Sequence, residues 1–407
     1  MKTLLILVFV ISTLGNAMGQ QFVVLMKDSF EKPLKREEVK DPNRFKKMSD
    51  NQPRRSSKKD KLKGFARNKG ITLGDAQLFV DGAVGFISNL SSDQVIQLST
   101  DSEVMGVFPD FQIQGTRPKM QTRPKMQGDP LDLEDFYDQN NQSSCAIPLI
   151  GGAETSRSRS AIWIVDSGVD GQHVDLNVNT NSMVSVSFVP GEPNPLADSN
   201  GHGTHCAGLA GGKGAGNPGV KGVSIGAEII SVKVLDSQGI GTWSQLVLAL
   251  DHISKFGVRD DVVLMSLGGE ELTDCENSDP IIRSMIQNLA NDKLFVVMSA
   301  GNDSRNSGQN FPGCISGDNV LTIGAMDFTC DQMGGMADYS NVGMPSIDFL
   351  APGTSLFSTF PGNRYQVMSG TSMAAALVAG LVHSTGKTPK ESFRITQNGI
   401  TYPVVGR

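Results

Sequence analysis

At 407 residues and a formal net charge of −6, the chain is longer than one ordinary domain and suits a small domain followed by a large one. The acidic balance argues against a nucleic-acid binder. Past the first residues no apolar run is long enough to cross a bilayer, which argues against a membrane-spanning protein.

The chain opens Met1-Lys-Thr-Leu-Leu-Ile-Leu-Val-Phe-Val-Ile-Ser-Thr-Leu-Gly-Asn-Ala-Met-Gly19, with a basic start, an apolar centre shorter than a membrane span, and small residues at its end. This predicts a secretion signal over residues 1–19 and a secreted or vesicle-lumen protein. The five cysteines, Cys145, Cys206, Cys275, Cys314 and Cys330, then sit in an oxidising compartment, where an odd number leaves at least one without an internal partner. Cys206 is set aside because it lies within a motif described below. The remaining four allow three pairings, and the sequence does not choose among them.

Residues 20–115 read as a small α+β domain of ferredoxin-like type. Gln21–Met26 is a strand, and Gly64 to Phe86 holds further apolar segments between Gly and Asp turns. Ser91 with Gln94 forms a capping box, and Leu90 against Val95 a hydrophobic staple, opening a short helix through Val95, Ile96 and Leu98. Glu103 to Asp110 returns as the last strand. Between the first strand and the rest, residues 31–63 are dominated by Lys and Arg and predict a solvated, disordered insertion, with Arg54 and Arg55 as a candidate processing site. After Asp110 comes a tandem duplication, Thr116-Arg-Pro-Lys-Met-Gln121 and Thr122-Arg-Pro-Lys-Met-Gln127. A repeated, basic, Pro-containing segment predicts an exposed linker and cleavage region over residues 116–142, where the domain boundary falls.

Residues 143–407 alternate strand and helix. Ala161-Ile-Trp-Ile-Val165 is a continuous apolar run, as expected of a strand buried on both faces of a parallel sheet. Similar runs recur at Glu228 to Leu235, Asp261 to Leu267, Leu294 to Met298 and Val320 to Ala325. Thr242 with Gln245 caps a helix burying Trp243, Leu246, Val247, Leu250 and Ile253, and Pro280 opens another through Ile282, Met285, Ile286 and Leu289. The pattern predicts a doubly wound, mostly parallel α/β sheet with its cleft beyond the carboxyl ends of the strands.

Candidate chemistry sits at those ends. Val367 to Leu381 places Ser372 between a Gly-containing turn and a buried helix, facing unpaired amides and the positive end of the helix dipole. A serine needs a base, and the base an orienting carboxylate. Asp166 follows directly on the first buried strand, His202 lies between two glycines in Asn200-Gly-His-Gly-Thr-His-Cys-Ala-Gly208, and Asn302 ends another strand with an amide suited to an oxyanion.

Together these segments resemble a subtilisin-like serine endopeptidase, nearest to the proteinase K group, from the small domain to about Gly380. The motifs are Ile164-Val-Asp-Ser-Gly-Val169, Gly201-His-Gly-Thr-His-Cys-Ala-Gly208, Val232-Lys-Val-Leu-Asp236, Met265-Ser-Leu-Gly-Gly269, Ser299-Ala-Gly-Asn302 and Ser369-Gly-Thr-Ser-Met-Ala374. The resemblance implies Ser372 as nucleophile, His202 as general base, Asp166 as its orienter and Asn302 as oxyanion donor. It also implies Gly239, Ile240 and Gly241 with Ser266, Leu267 and Gly268 as two segments clamping an extended peptide, joined by Ser299, Ala300 and Gly301. Cys206 would be a buried free thiol. Asp348, with the backbone oxygens of Asp318 and Val320, would hold a structural calcium, and no cofactor would serve the chemistry.

By the same resemblance the partners are protein or peptide substrates and the chain's own small domain, an inhibitory propeptide whose last strand lies in the cleft. A monomer is expected. Two departures stand out: Ala375, Ala376 and Leu377 replace the family's usual Thr-Pro-His, and little chain follows the serine helix. They motivate an alternative, a catalytically silent binding protein that retains its propeptide. Of three glycosylation sequons, Asn89-Leu-Ser91 and Asn141-Gln-Ser143 are the better candidates, and Asn302-Asp-Ser304 is expected to stay unmodified.

Overall fold

The structure, a computed structural model, describes residues 20–27, 44–115, 137–156, 160–270, 275, 280–330, 332–344 and 346–407, the side chains of 44–51 and 270 excepted. The predicted signal, residues 31–43 of the basic insertion and the tandem repeat lie outside the described residues. The chain divides into two compact units, one ending at Phe111 and the other beginning at Gln112.

The first unit contains β1 (Gln21–Met26), α1 (Arg44–Asn68), β2 (Leu78–Phe79), β3 (Gly85–Asn89), α2 (Ser92–Ser99) and β4 (Val104–Pro109). Its strands pair antiparallel in the order β2-β3-β1-β4, the topology of a ferredoxin-like unit. Phe22, Val24 and Met26, on one face of β1, pack with Phe86, Val95, Leu98 and Val104. The expected capping box opens α2: Ser91 Oγ accepts from Gln94 N at 3.3 Å and Gln94 Oε1 accepts from Ser91 N at 3.0 Å. Ile96, one residue past buried Val95, points away from the core and is 47% exposed.

The disordered insertion is overturned over residues 44–63, which belong to α1. Its inward face carries Arg55, Lys58, Leu62, Phe65 and Ala66, a helical spacing in which two cations stand where a sequence pattern looks for apolar residues. Leu62, Phe65 and Ala66 enter the core. Arg55 is buried against Asp81, its Nε donating to Oδ1 at 2.8 Å and Oδ2 at 3.1 Å, so it is not an exposed processing site.

In the second unit the apolar runs become β6 (Ala161–Asp166), β7 (Glu228–Lys233), β9 (Val262–Met265), β11 (Phe295–Ser299) and β13 (Val320–Phe328), joined in the main sheet by β14 (Phe349–Pro352), where no strand is predicted; β5 (Gln112–Gly115), β8 (Ile240–Thr242), β10 (Leu267–Glu270) and β12 (Asn310–Phe311) are short strands outside the main sheet. The parallel order is β7-β6-β9-β11-β13-β14. Helices α3 (His202–Gly211), α4 (Trp243–Phe256), α5 (Pro280–Asn291) and α6 (Thr371–Thr385) connect and cover it, with the hairpin β15 (Leu356–Phe360) and β16 (Arg364–Met368) before α6. Alternate residues of each strand face opposite layers. Ile162, Ile164, Leu264 and Val297 share a core with α3 and α6, while the Trp163 ring meets His252 of α4 edge-on at 6.2 Å. The sheet is therefore covered on both faces, as the doubly wound reading requires.

Three boundaries differ from expectation. Residues 137–142, assigned to the linker, are folded: Tyr137 is buried and its hydroxyl donates to Pro218 O at 2.6 Å and Gly219 O at 2.8 Å. The unit boundary falls before β5 because those residues pair with strands of the second unit. The short tail after the serine helix forms a hairpin of β17 (Lys390–Gln397) and β18 (Ile400–Gly406), with β18 joining the main sheet parallel to β14. Tyr402, Val404 and Val405 are buried there. Cys145 pairs with Cys330 and Cys275 with Cys314, and Cys206 is free and buried, which selects one of the open pairings.

Candidate active site

The candidate catalytic residues sit on three elements. Asp166 ends β6, His202 begins α3 and Ser372 is the second residue of α6; the three are 1%, 3% and 0% exposed. Both carboxylate oxygens of Asp166 reach His202 Nδ1, at 2.8 and 2.9 Å. A charged acceptor on Nδ1 fixes the tautomer that leaves Nε2 as the basic nitrogen. Gly203 permits the approach, since a Cβ there would stand 2.1 Å from Gly168 O and 3.1 Å from the Asp166 Cβ. His202 Nε2 and Ser372 Oγ are both buried and both lack a hydrogen-bond partner among the described residues. Such orphaned groups are costly unless a ligand or a reaction step uses them.

Burial disfavours the charged form of His202, but the charge and hydrogen bond of Asp166, with a further contribution from the Asp198 charge, outweigh it and raise the pKa above its ordinary value. His205, one turn on, behaves oppositely. Burial pushes it down to about 3, and its Nε2 is occupied by Leu356 O at 3.2 Å and Gln366 O at 3.0 Å. Of the two histidines in the motif, His202 alone is placed as a base.

Asn302 is tied to the helix that carries the serine. Its Oδ1 accepts from Thr371 N and from Thr371 Oγ1, each at 2.9 Å, capping α6 and directing the Nδ2 end toward Gly370. A Cβ on Gly370 would meet that nitrogen at 3.0 Å. Asn302 is 5% exposed, in keeping with an unmodified sequon. The replaced segment Ala375 to Leu377 is buried and continues α6 without a break.

Beside these residues lies a second sheet, β8-β5-β10-β12. Here β5 is the central strand of three, antiparallel to both neighbours: Gly241 faces Ile113, Ile240 faces Gln114, Gly268 faces Gln114 and Leu267 faces Gly115. Gly115 N donates to Gly239 O at 2.8 Å. Ile113 is fully buried over Gly269. The carboxyl end of β5 stands one residue short of Ser266, whose Oγ donates to the backbone oxygen of Ser372 at 3.3 Å. The predicted clamp segments are thus brought together around an extended stretch of this same chain, whereas Ser299, Ala300 and Gly301 lie outside that sheet. Asn341 Nδ2 binds Ala300 O at 2.8 Å, and Gly301 N binds Thr371 Oγ1 at 3.2 Å.

For the predicted calcium, Asp348 Oδ2 accepts from Thr322 N at 2.7 Å, next to the start of β13, where Val320 is the first residue. Burial pushes this carboxyl up to about 6, the behaviour of a charge in want of a counter-charge. One carboxylate with the carbonyls of Asp318 and Val320 is an oxygen-only donor set, which fits calcium. Cys206 lies with Asp166 and His202 in one buried group of ligand atoms within 4.8 Å. Burial raises its thiol well above the ordinary value, which keeps it protonated and unreactive.

Sequence reasoning missed Asp198, Ser167 and Thr371. Asp198 was detectable only as a carboxylate four residues before His202, and Thr371 as a hydroxyl before the serine.

A model of the Subtilase family matches residues 158–385. Subtilisin DY of Bacillus licheniformis is 34% identical over 220 residues, 54% of this chain and 73% of its own length. Thermitase of Thermoactinomyces vulgaris is 33% identical, covering 57% of this chain and 77% of its own length. Alkaline serine protease ver112 of Corniculantispora psalliotae is 30% identical over 79% of this chain and 77% of its own length, a larger share than residues 112–407 alone supply. Against several Bacillus and Geobacillus subtilisins the chain spans 58% of their length.

Proposed function

The chain belongs to the subtilase family and is a subtilisin-like serine endopeptidase, and we propose that it cleaves peptide bonds with Ser372, His202, Asp166 and Asn302 and is made as a self-inhibited, secreted precursor. The observation that carries this reading is a His202 oriented by Asp166 whose Nε2 is buried and unsatisfied, together with a buried Ser372 hydroxyl that is also unsatisfied.

In this mechanism His202 Nε2 takes the Ser372 proton as Oγ bonds to the substrate carbonyl carbon, and the carbonyl oxygen becomes an oxyanion held by Asn302 Nδ2 and the Ser372 amide. The imidazolium then protonates the leaving amine, the C–N bond breaks, and an acyl-enzyme remains. Water, deprotonated by the same imidazole, releases the acid and restores the serine. A substrate would replace β5 between β8 and β10, binding by strand addition with main-chain contacts dominant and broad sequence preference.

The small unit would serve as propeptide, with β5 as its inhibitory tail and self-cleavage soon after Gly115. The ferredoxin-like topology, the position of β5 and the reach of the ver112 match support this. Two disulfides suit an oxidising compartment, and among the described residues no helix is long and apolar enough to cross a membrane. A serine-directed fluorophosphonate is expected to label processed wild-type protein at Ser372. A folded wild type that neither processes itself nor takes the label would leave the silent binding protein as the better reading.

Calcium at Asp348 would stabilise the fold and take no part in the chemistry. Added calcium is expected to raise the thermal midpoint of the wild type, and Asp348→Asn to abolish that rise while leaving the calcium-free midpoint little changed. The comparison needs only thermal melts with and without a chelator.

A further inference from the structure

Beside the triad lies a second buried carboxylate. Asp198, 6% exposed, receives four hydrogen bonds: its Oδ1 accepts from Ser167 Oγ at 2.9 Å and Gly201 N at 2.8 Å, and its Oδ2 from Thr204 N at 2.9 Å and Thr204 Oγ1 at 2.6 Å. The donors come from two places. Ser167 directly follows Asp166 and donates its own N–H to Asp166 Oδ1 at 2.7 Å, while Gly201 and Thr204 flank His202 in the first turn of α3. Ser167 Oγ, having donated to Asp198, accepts from Gly203 N at 3.1 Å. One carboxylate is therefore bonded to chain neighbours of both Asp166 and His202, which approach each other from separate elements.

An ordinary helix cap does not require this arrangement. The free amides at the start of α3 could be met by a single short side chain, whereas here they are shared between Asp198 and the residue after Asp166. Four donors also demand an anion, since a neutral amide has one oxygen and would turn its NH2 against donors on the other side.

We propose that Asp198 is a positioning residue of the peptidase: it locks the loop after Asp166 to the first turn of the His202 helix, and its negative charge stabilises the imidazolium formed as Ser372 gives up its proton. The proposal rests on the triad reading given above. The other groups facing the imidazole do not duplicate this role. Asp166 approaches from β6. On α3 itself, His205 stays neutral, its pKa pushed to about 3, and burial holds the Cys206 thiol protonated. From β15, Ser358 and Thr359 contribute hydroxyls bound to the backbone oxygens of His205 and Thr204. From α6 come the Ser372 hydroxyl and the positive end of the helix. From β7, Lys233 Nζ binds Ser167 O on the far side and is paired with Glu192 at 3.0 Å. The Asp198 charge adds to that of Asp166 in raising His202.

The test is Asp198→Asn, assayed as kcat/KM against pH beside the wild type, with folding followed by circular dichroism. For the folded variant, the expected result is a kcat lowered about tenfold or more at similar KM and an acid limb displaced to lower pH by roughly half a unit, smaller than a contacting charge produces. A folded variant whose acid limb coincides with that of the wild type overturns the proposal. A wild type without activity would instead overturn the triad reading beneath it, so the two failures are distinguishable. If Asp198→Asn does not fold, Ser167→Ala decides, because it removes the hydroxyl link and leaves both carboxylates. It is expected to lower kcat about tenfold with KM unchanged and the acid limb unmoved. Wild-type kcat in that variant overturns the proposal.

Discussion

Replacing Ser372 with alanine is expected to lower kcat by about a millionfold, a magnitude known from subtilisin itself and carried to this relative. In the proposed mechanism the hydroxyl is the group that bonds to substrate, and alanine at the second position of α6 keeps the buried helix and its Asn302 cap intact. Stability should therefore stay close to wild type while chemistry stops. The same substitution should leave the precursor uncut. Gly115 is held antiparallel to Leu267, one residue from Ser266, which bonds to the Ser372 backbone, so under the proposed reading the chain's own peptide would be the first substrate. On a denaturing gel the variant should run at full precursor length, and amino-terminal sequencing of the wild type should begin shortly after Gly115. A variant that still processes itself would place the nucleophile elsewhere.

Asp166→Asn is expected to cost about ten-thousandfold in kcat. An asparagine that meets His202 Nδ1 with its NH2 forces the proton onto Nε2, which then cannot accept from serine. One that meets it with oxygen keeps the tautomer but supplies no charge for the imidazolium. The pH profile separates this from simple misplacement. Activity requires the neutral ring, and in the wild type the ring titrates above its ordinary value, because Asp166 outweighs the opposing effect of burial. The wild type should thus lose activity as pH falls through a midpoint above 6.5. In the variant the main raising influence is gone and burial remains, so the acid limb should move to lower pH even as the plateau collapses. The measurement is kcat/KM from about pH 5 to 9; an acid limb that stays in place would mean that another group governs it.

Much of the catalytic layer was legible in the sequence because it is written in short-range terms. Continuous apolar runs mark β6, β9 and β11, and Asp166 and Asn302 end such a run or follow it closely, where they bond to His202 and to Thr371. The capping boxes at Ser91 and Thr242 formed as read. What escaped depends on partners distant in sequence. Helix α1 presents Arg55 and Lys58 to the interior, and Asp81, distant in sequence, receives the charge on Arg55. The parallel placement of β18 depends on β14, and its few apolar residues give no sign of which edge they will join. Asp198 looks like any loop aspartate until its donors are known, and they come from both sides of the catalytic pair.

The closing hairpin also bears on how this molecule keeps company with itself. If substrates bind by completing a sheet, as proposed, the same attraction acts at any sheet margin left bare. In the hairpin, β18 supplies the apolar layer and β17 takes the outermost place, with Lys390, Glu391 and Arg394 exposed along it and the last two paired at 2.8 Å. Charges spaced along a margin discourage a stray strand from docking there. On the proposed reading, polypeptide capture would then favour the groove between β8 and β10 over a flank where it would lead to clumping.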